Sequence, residues 1–174
     1  MANEWIRKVV NGQIGEYKSA AMDEILFTDR DGLSEEIITA LDPQFLEEPT
    51  GLIYYRIFPY MRIPDTVSDT GSYILMSVDV PKIPTTNRLY KQVVLTLKVM
   101  VHQDAMYMGG KTNRTRCDYI AERLYSIFNG NRHFNGEPLN YDADIEGTVM
   151  NTFHTRTMRF SVDELNQPPC TIIS

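Results

Sequence analysis

The residue pattern predicts an α+β domain in which a mostly antiparallel sheet of four or more strands is covered by one principal helix. Between residues 51 and 103, short runs rich in Tyr, Ile, Val, Leu and Phe alternate with turn-rich loops, which is the composition of strands. Between 113 and 129, apolar residues recur at helical spacing, and one more alternating run follows them. Strands that are grouped along the chain, rather than interleaved one for one with helices, imply antiparallel pairing with the helices on one face.

Each element carries its own signal. Residues 4–10 allow a short amphipathic helix with Trp5, Ile6 and Val9 on one face, until Gly12 and Gly15 interrupt it. Ser34–Leu41 reads as a second helix: Ser34 is placed to cap it, Glu35 and Glu36 lie in the first turn where the dipole favours negative charge, and Pro43 ends it. Three strands follow, over Leu52–Phe58, Tyr73–Val80 and Lys91–Gln103. In the third, Val93, Leu95, Leu97, Val99 and Val101 share one face, while Val94, Thr96, Lys98, Met100 and His102 share the other, so one face is core and the other mixed. The principal helix puts Cys117, Ile120, Ala121, Leu124, Ile127 and Phe128 on one stripe, with Thr112 or Asn113 as its cap and Asn129-Gly130 as its end. Thr148–Val162 supplies a fourth strand. From Asn166 onward, Pro168 and Pro169 imply an extended arm, so the expected organisation is one domain over residues 1–165 and an arm over 166–174.

Composition narrows the function. At 174 residues and 43% hydrophobic content, the chain is sized for one core. Seventeen Lys plus Arg against 23 Asp plus Glu give a formal charge of -6, which argues against gripping nucleic acid through its phosphates. Two cysteines, Cys117 and Cys170, are too few for a disulfide framework and make a reducing compartment the expectation. The first ten residues lack the apolar core of a signal peptide, and no run approaches the roughly 18 apolar residues of a membrane span. A soluble protein without a membrane partner is expected.

The most suggestive motif is Gly109-Gly110-Lys111-Thr112, placed between a strand and a helix. A phosphate-binding loop needs a further glycine at 105, where Ala105 stands, and room where Met106, Tyr107 and Met108 stand. The motif therefore reads as a connection whose glycines let the chain turn. Phe27–Gly32 fails as a calcium loop, because Phe27 occupies the first ligand place and Ile38 the closing bidentate one. His102, His133 and His154 have no partners at ligand spacing, although His102 and His154 are candidates for neighbours on the polar side of the sheet. No nucleophile elbow is present, so the sequence supplies no catalytic, cofactor-binding or metal-binding set. The basic cluster Lys111, Arg114 and Arg116, with Arg123 beyond, lacks interleaved aromatic platforms and reads as a solvated helix face or a protein interface.

One arrangement does resemble a known group. A strand ending at Val101-His102-Gln103, a variable loop, the helix Asn113–Gly130 with Arg116, Asp118, Ile120, Ala121, Leu124 and Phe128-Asn129, then Phe134–Leu139, and a closing run Met150–Val162 leading into Asp163-Glu164 resemble the tail terminator and head-to-tail joining proteins of tailed bacteriophages. The likeness spans about residues 90–165; the longer N-terminal region and the Pro-containing loops between Arg62 and Asn87 depart from it. It implies a non-enzymatic virion protein of the neck or tail, assembled in the host cytoplasm. Such a protein forms a ring, typically of six copies, that caps the tail tube protein and presents its other face to a head-completion or stopper protein. DNA passes through the lumen without specific binding. The acidic balance suits such a lumen, which repels phosphate.

On this reading the candidate interface comprises Met106, Tyr107 and Met108, an apolar trio of interface composition, with Lys111, Arg114 and Arg116. The Tyr54–Tyr60 run is open to the same role or to burial in the core. The arm after Leu165 can embrace a neighbour. Two alternatives stand beside the terminator: another neck or tail component such as a head-closure protein, and a small soluble enzyme or ligand-binding domain with its site drawn from scattered residues.

Overall fold

The architecture is organised by the longest alternating run. In a computed structural model, which describes residues 14–27, 33–61, 70–80, 90–109, 113–132 and 137–165, this run is the central strand β3 (Tyr90–His102). It pairs antiparallel with β2 (Ser72–Asp79) on one side and β5 (Phe153–Leu165) on the other. Outside these lie β1 (Ile57–Phe58), parallel to β2, and β4 (Asn140–Val149), antiparallel to β5. The sheet order is β1-β2-β3-β5-β4, and the fold is α+β as the residue pattern implied.

Alternation sorts the two faces as expected. Val93, Leu95, Leu97, Val99 and Val101 are buried together with Ile74, Met76 and Val78 of β2 and Met158, Phe160 and Val162 of β5. That face is covered by α1 (residues 14–19, continuing as a π-helix over Ala20–Leu26), α2 (Leu33–Leu41) and α3 (Arg116–Phe128). α3 places Cys117, Ile120, Ala121, Leu124, Ile127 and Phe128 into the core, the stripe its spacing required. The opposite face buries a smaller cluster of Phe58, Tyr73, Leu75, Met100 and Phe153.

Five elements differ from the sequence reading. The helix expected over residues 4–10 lies outside the described residues, but helix runs through Gly15 instead of stopping there. A glycine costs a helix about 1 kcal/mol. Burial of Tyr17, Ala21, Met22, Ile25 and Leu26 outweighs it, at roughly 1.5–3 kcal/mol for each large side chain. Ser34 does not cap α2; it sits inside the helix, and its hydroxyl donates to the Leu26 carbonyl at 2.6 Å, satisfying the end of the preceding helix.

The strand expected over Leu52–Phe58 shortens to Ile57–Phe58, because Pro49–Leu52 is a 3-10 turn and Tyr54 adopts a left-handed backbone with φ 64°. The cap of α3 is Thr115 rather than Thr112 or Asn113. Finally, the run Thr148–Val162 is two strands, not one. Met150 (φ 55°) and Asn151 (φ 57°) turn the chain between β4 and β5 with the pair of left-handed residues that tight hairpins use. The arm expected over residues 166–174 lies outside the described residues.

Candidate functional site

The densest polar geometry forms where α3 meets the β4–β5 hairpin, and it is built from the start of the helix. The Thr115 hydroxyl oxygen accepts from the Asp118 N–H at 3.1 Å and the same hydroxyl donates to Asp118 Oδ2 at 2.6 Å, a reciprocal cap. The other carboxylate oxygen, Oδ1, accepts from Arg156 Nη1 at 3.0 Å. Arg156 stands on the helix-covered face of β5. Its Nε donates to Asp144 Oδ1 at 2.9 Å and its Nη2 pairs with Asp144 Oδ2, so the guanidinium grips one carboxylate with two nitrogens and bridges to a second.

The clamp shapes the proton chemistry around it. Hydrogen bonding to Asp144 pushes the Arg156 guanidinium further above its ordinary value, against the opposing effect of burial. Burial, then the Asp144 charge, raises the Tyr141 hydroxyl. Burial above all, with the Asp118 charge next, pushes the Cys117 thiol from its ordinary 9.0 up to about 12, and the thiol donates to the His154 carbonyl at 3.7 Å. All three shifts keep the proton in place near neutrality. Around the clamp runs an open groove of about 350 Å³, whose lining includes Arg114, Glu122, Tyr125 and Tyr141. Tyr125 meets Tyr141 edge to face at 4.9 Å, and Arg114 forms an ion pair with Glu122.

A second set of contacts joins α3 to α2. The Tyr119 hydroxyl donates to Glu36 Oε2 at 2.8 Å, Arg123 pairs with the same carboxylate, and the Arg123 guanidinium lies 4.8 Å over the Tyr119 ring. Burial, then the bond to Glu36, raises the Tyr119 hydroxyl. Arg116 Nη1 donates to the Ala40 carbonyl at 2.9 Å, meeting one of the unpaired carbonyls at the end of α2.

These contacts redistribute the candidate residues. Arg114, Arg116 and Arg123 are each engaged within the chain, and Arg114 stays exposed while paired with Glu122; Lys111 lies outside the described residues. Of the apolar trio, Met106 leans on the main core, Met108 is half-buried, and only Tyr107 projects, at 77% exposure. Gly109 has φ 69°, the left-handed turn expected of the connection. His102 and His154 are not neighbours on one face: His102 pairs with Phe153 and His154 with Val101, which puts them on opposite sides of the sheet. His102 accepts from the Asp104 N–H at 3.3 Å and sets its ring edge against Phe153.

Sequence reasoning missed Tyr141, Asp144 and Arg156. The signal was present as the two-residue alternation from Ala143 to Val149, hidden because the residues facing the helix are acidic instead of apolar and because a bulge at Asp142 breaks the period.

The sequence pattern of the YomW family matches residues 24–162, which takes in α2, α3 and nearly all of the sheet. The chain belongs to that family and is phage-associated. No curated protein matches it.

Two measurements probe this site. Replacing Arg156 by Met leaves Asp118 and Asp144 without their cation, and urea unfolding is expected to show a loss of about 1–3 kcal/mol. Adding Asp144→Asn is expected to recover part of it. For Cys117, a raised folded pKa means the folded chain keeps a proton that the unfolded thiol gives up. Its contribution is complete below 9.0 and is lost as pH rises toward about 12. The urea midpoint of the wild type is therefore expected to fall more steeply from about pH 9 to about pH 11 than that of Cys117→Ala.

Proposed function

We propose that this phage-associated chain is a non-enzymatic structural protein of the virion, a terminator whose ring caps the tail tube and joins it to the head-completion complex. The observation that supports this reading is the work done by the residues that carry the resemblance. Ile120, Ala121 and Leu124 fill the core, Asp118 is locked to Arg156, and Arg116 closes the end of α2. The shared pattern therefore describes a rigid frame, and a rigid frame with chemically distinct flanks is what repeated head-to-tail contact requires. The formal charge of -6 suits a lumen through which DNA slides without being held. Six copies is the ring size that the resemblance implies.

The test is the mass of the purified protein over a range of concentrations, with negative-stain images of the same sample, alone and after addition of tail tubes. Rings, or a monomer that becomes a ring on the tube end, are the expected result. A strict monomer that ignores tubes and head-completion proteins overturns the reading.

A further inference from the structure

Among the described residues, the large exposed apolar side chains are confined almost wholly to the two opposite edges of the sheet. At the β1 edge lie Tyr54, Tyr55, Tyr60 and Met61, joined by Leu46, whose neighbour Phe45 rests its ring 5.4 Å from that of Tyr55. At the β4 edge lie Ile145 and Met150, joined by Tyr125 through its contact with Tyr141. Among the described residues, Tyr107 is the one other large hydrophobic side chain that is exposed.

Arg56 stands at the first edge, where Glu47 and Glu48 are also exposed beside Leu46, and two carboxylates stand at the second. Arg56, beside β1, donates from Nη1 to the Tyr73 hydroxyl at 2.8 Å and lies 4.7 Å over the Tyr55 ring and 5.0 Å over the Tyr73 ring. A Cβ at Gly71 would run into this guanidinium, so the glycine makes room for it. Its Nε, like that of Arg116, is buried with no hydrogen-bond partner, and no carboxylate among the described residues pairs with the guanidinium, whereas Arg114, Arg123 and Arg156 each have one. On β4, Asp142 and Glu146 are exposed, and neither has an ion pair or hydrogen bond among the described residues.

The register sets the two edges level with each other. Ile57, Ile74, Val99, Arg156 and Glu146 form one row of partners running across all five strands, with Glu146 at one end on the helix-covered face and Arg56 adjoining the other end, stacked on Tyr73 of the opposite face. Backbone strain marks the same places. Tyr54 and Met150 hold left-handed backbones, φ 64° and 55°, while presenting side chains that are 67% and 78% exposed. For residues with a Cβ such geometry is unfavourable; at Met150 it closes the β4–β5 hairpin, and at Tyr54 it accompanies the bond from the Tyr54 N–H to the Ile57 carbonyl at 2.8 Å.

We infer that these edges are the two halves of one contact between copies of this chain. Arg56 of one copy meets the Asp142 and Glu146 carboxylates of the next, and the tyrosines of the β1 edge cover Ile145 and Met150. Tyr, Met and Arg are the residues enriched in interface cores. Because the halves lie on opposite edges, the contact is head-to-tail and repeats into a closed ring or a filament. This deepens the ring reading above and rests on it, naming the surface by which the ring closes.

The test is charge exchange, followed by mass measurement and imaging with tail tubes present. Arg56→Glu alone, and Asp142→Lys with Glu146→Lys, are each expected to raise the concentration for assembly about tenfold or more. Mixing the two variants, or combining all three changes in one chain, is expected to restore rings. Arg56 is half-buried and Glu146 lies opposite Arg156, so Met150→Ser and Asp142→Lys alone, both at exposed positions, provide variants whose circular dichroism should match the wild type. If the wild type forms rings and every variant forms them equally well, the contact is wrong while the ring stands. If the wild type forms none, both are overturned.

Discussion

The structure depends on the burial of one helix stripe against one strand face. Ile120, Leu124, Ile127 and Phe128 of α3 enter the core formed by the odd-numbered residues of β3 and the even-numbered residues of β5, with Phe128 and Phe160 in ring contact at 5.9 Å. At roughly 1.5–3 kcal/mol for each large apolar side chain buried, this contact dominates the local energetics. It also fixes the register, since a slip of one residue in β3 would send Val93, Leu95, Leu97, Val99 and Val101 to the other face.

Burial sets where α3 lies, and polar contacts set how it is oriented. The Thr115–Asp118–Arg156–Asp144 chain runs from the helix start through β5 to the edge strand, and the Glu36, Tyr119 and Arg123 contacts tie the same helix to α2. The ionic groups of α3 are thereby used in holding the frame. At the sheet edges, Arg56 on one side and Asp142 and Glu146 on the other have no ion pair among the described residues. A block stiffened inside and carrying such groups at both flanks is suited to repetition.

Wherever apolar periodicity decided the element, the sequence was a good guide. β2, β3, α3 and the end of α3 at Asn129 lie close to where alternation and helical spacing put them. Legibility failed where another effect overrode periodicity. Gly15 is tolerated within a helix because the following turns are buried, and Tyr54 breaks a strand-like run by a backbone conformation that its residue type does not announce. The β4–β5 turn was hidden because Met150-Asn151 is not a customary turn pair, so two strands read as one. The clamp was harder still: Asp118, Asp144 and Arg156 converge only once the hairpin folds, and ion pairs across strands leave no periodic trace in the chain.

A terminator ring is a fixed-stoichiometry part of the virion, and the proposed role requires the same of this chain. The most direct measurement is quantitative mass spectrometry of purified phage particles, with gold-labelled antibody imaging of the same particles. A small whole-number copy count per particle, with label at the junction of head and tail, is the expected result. Absence of the chain from purified particles, or label scattered over the capsid, would contradict it.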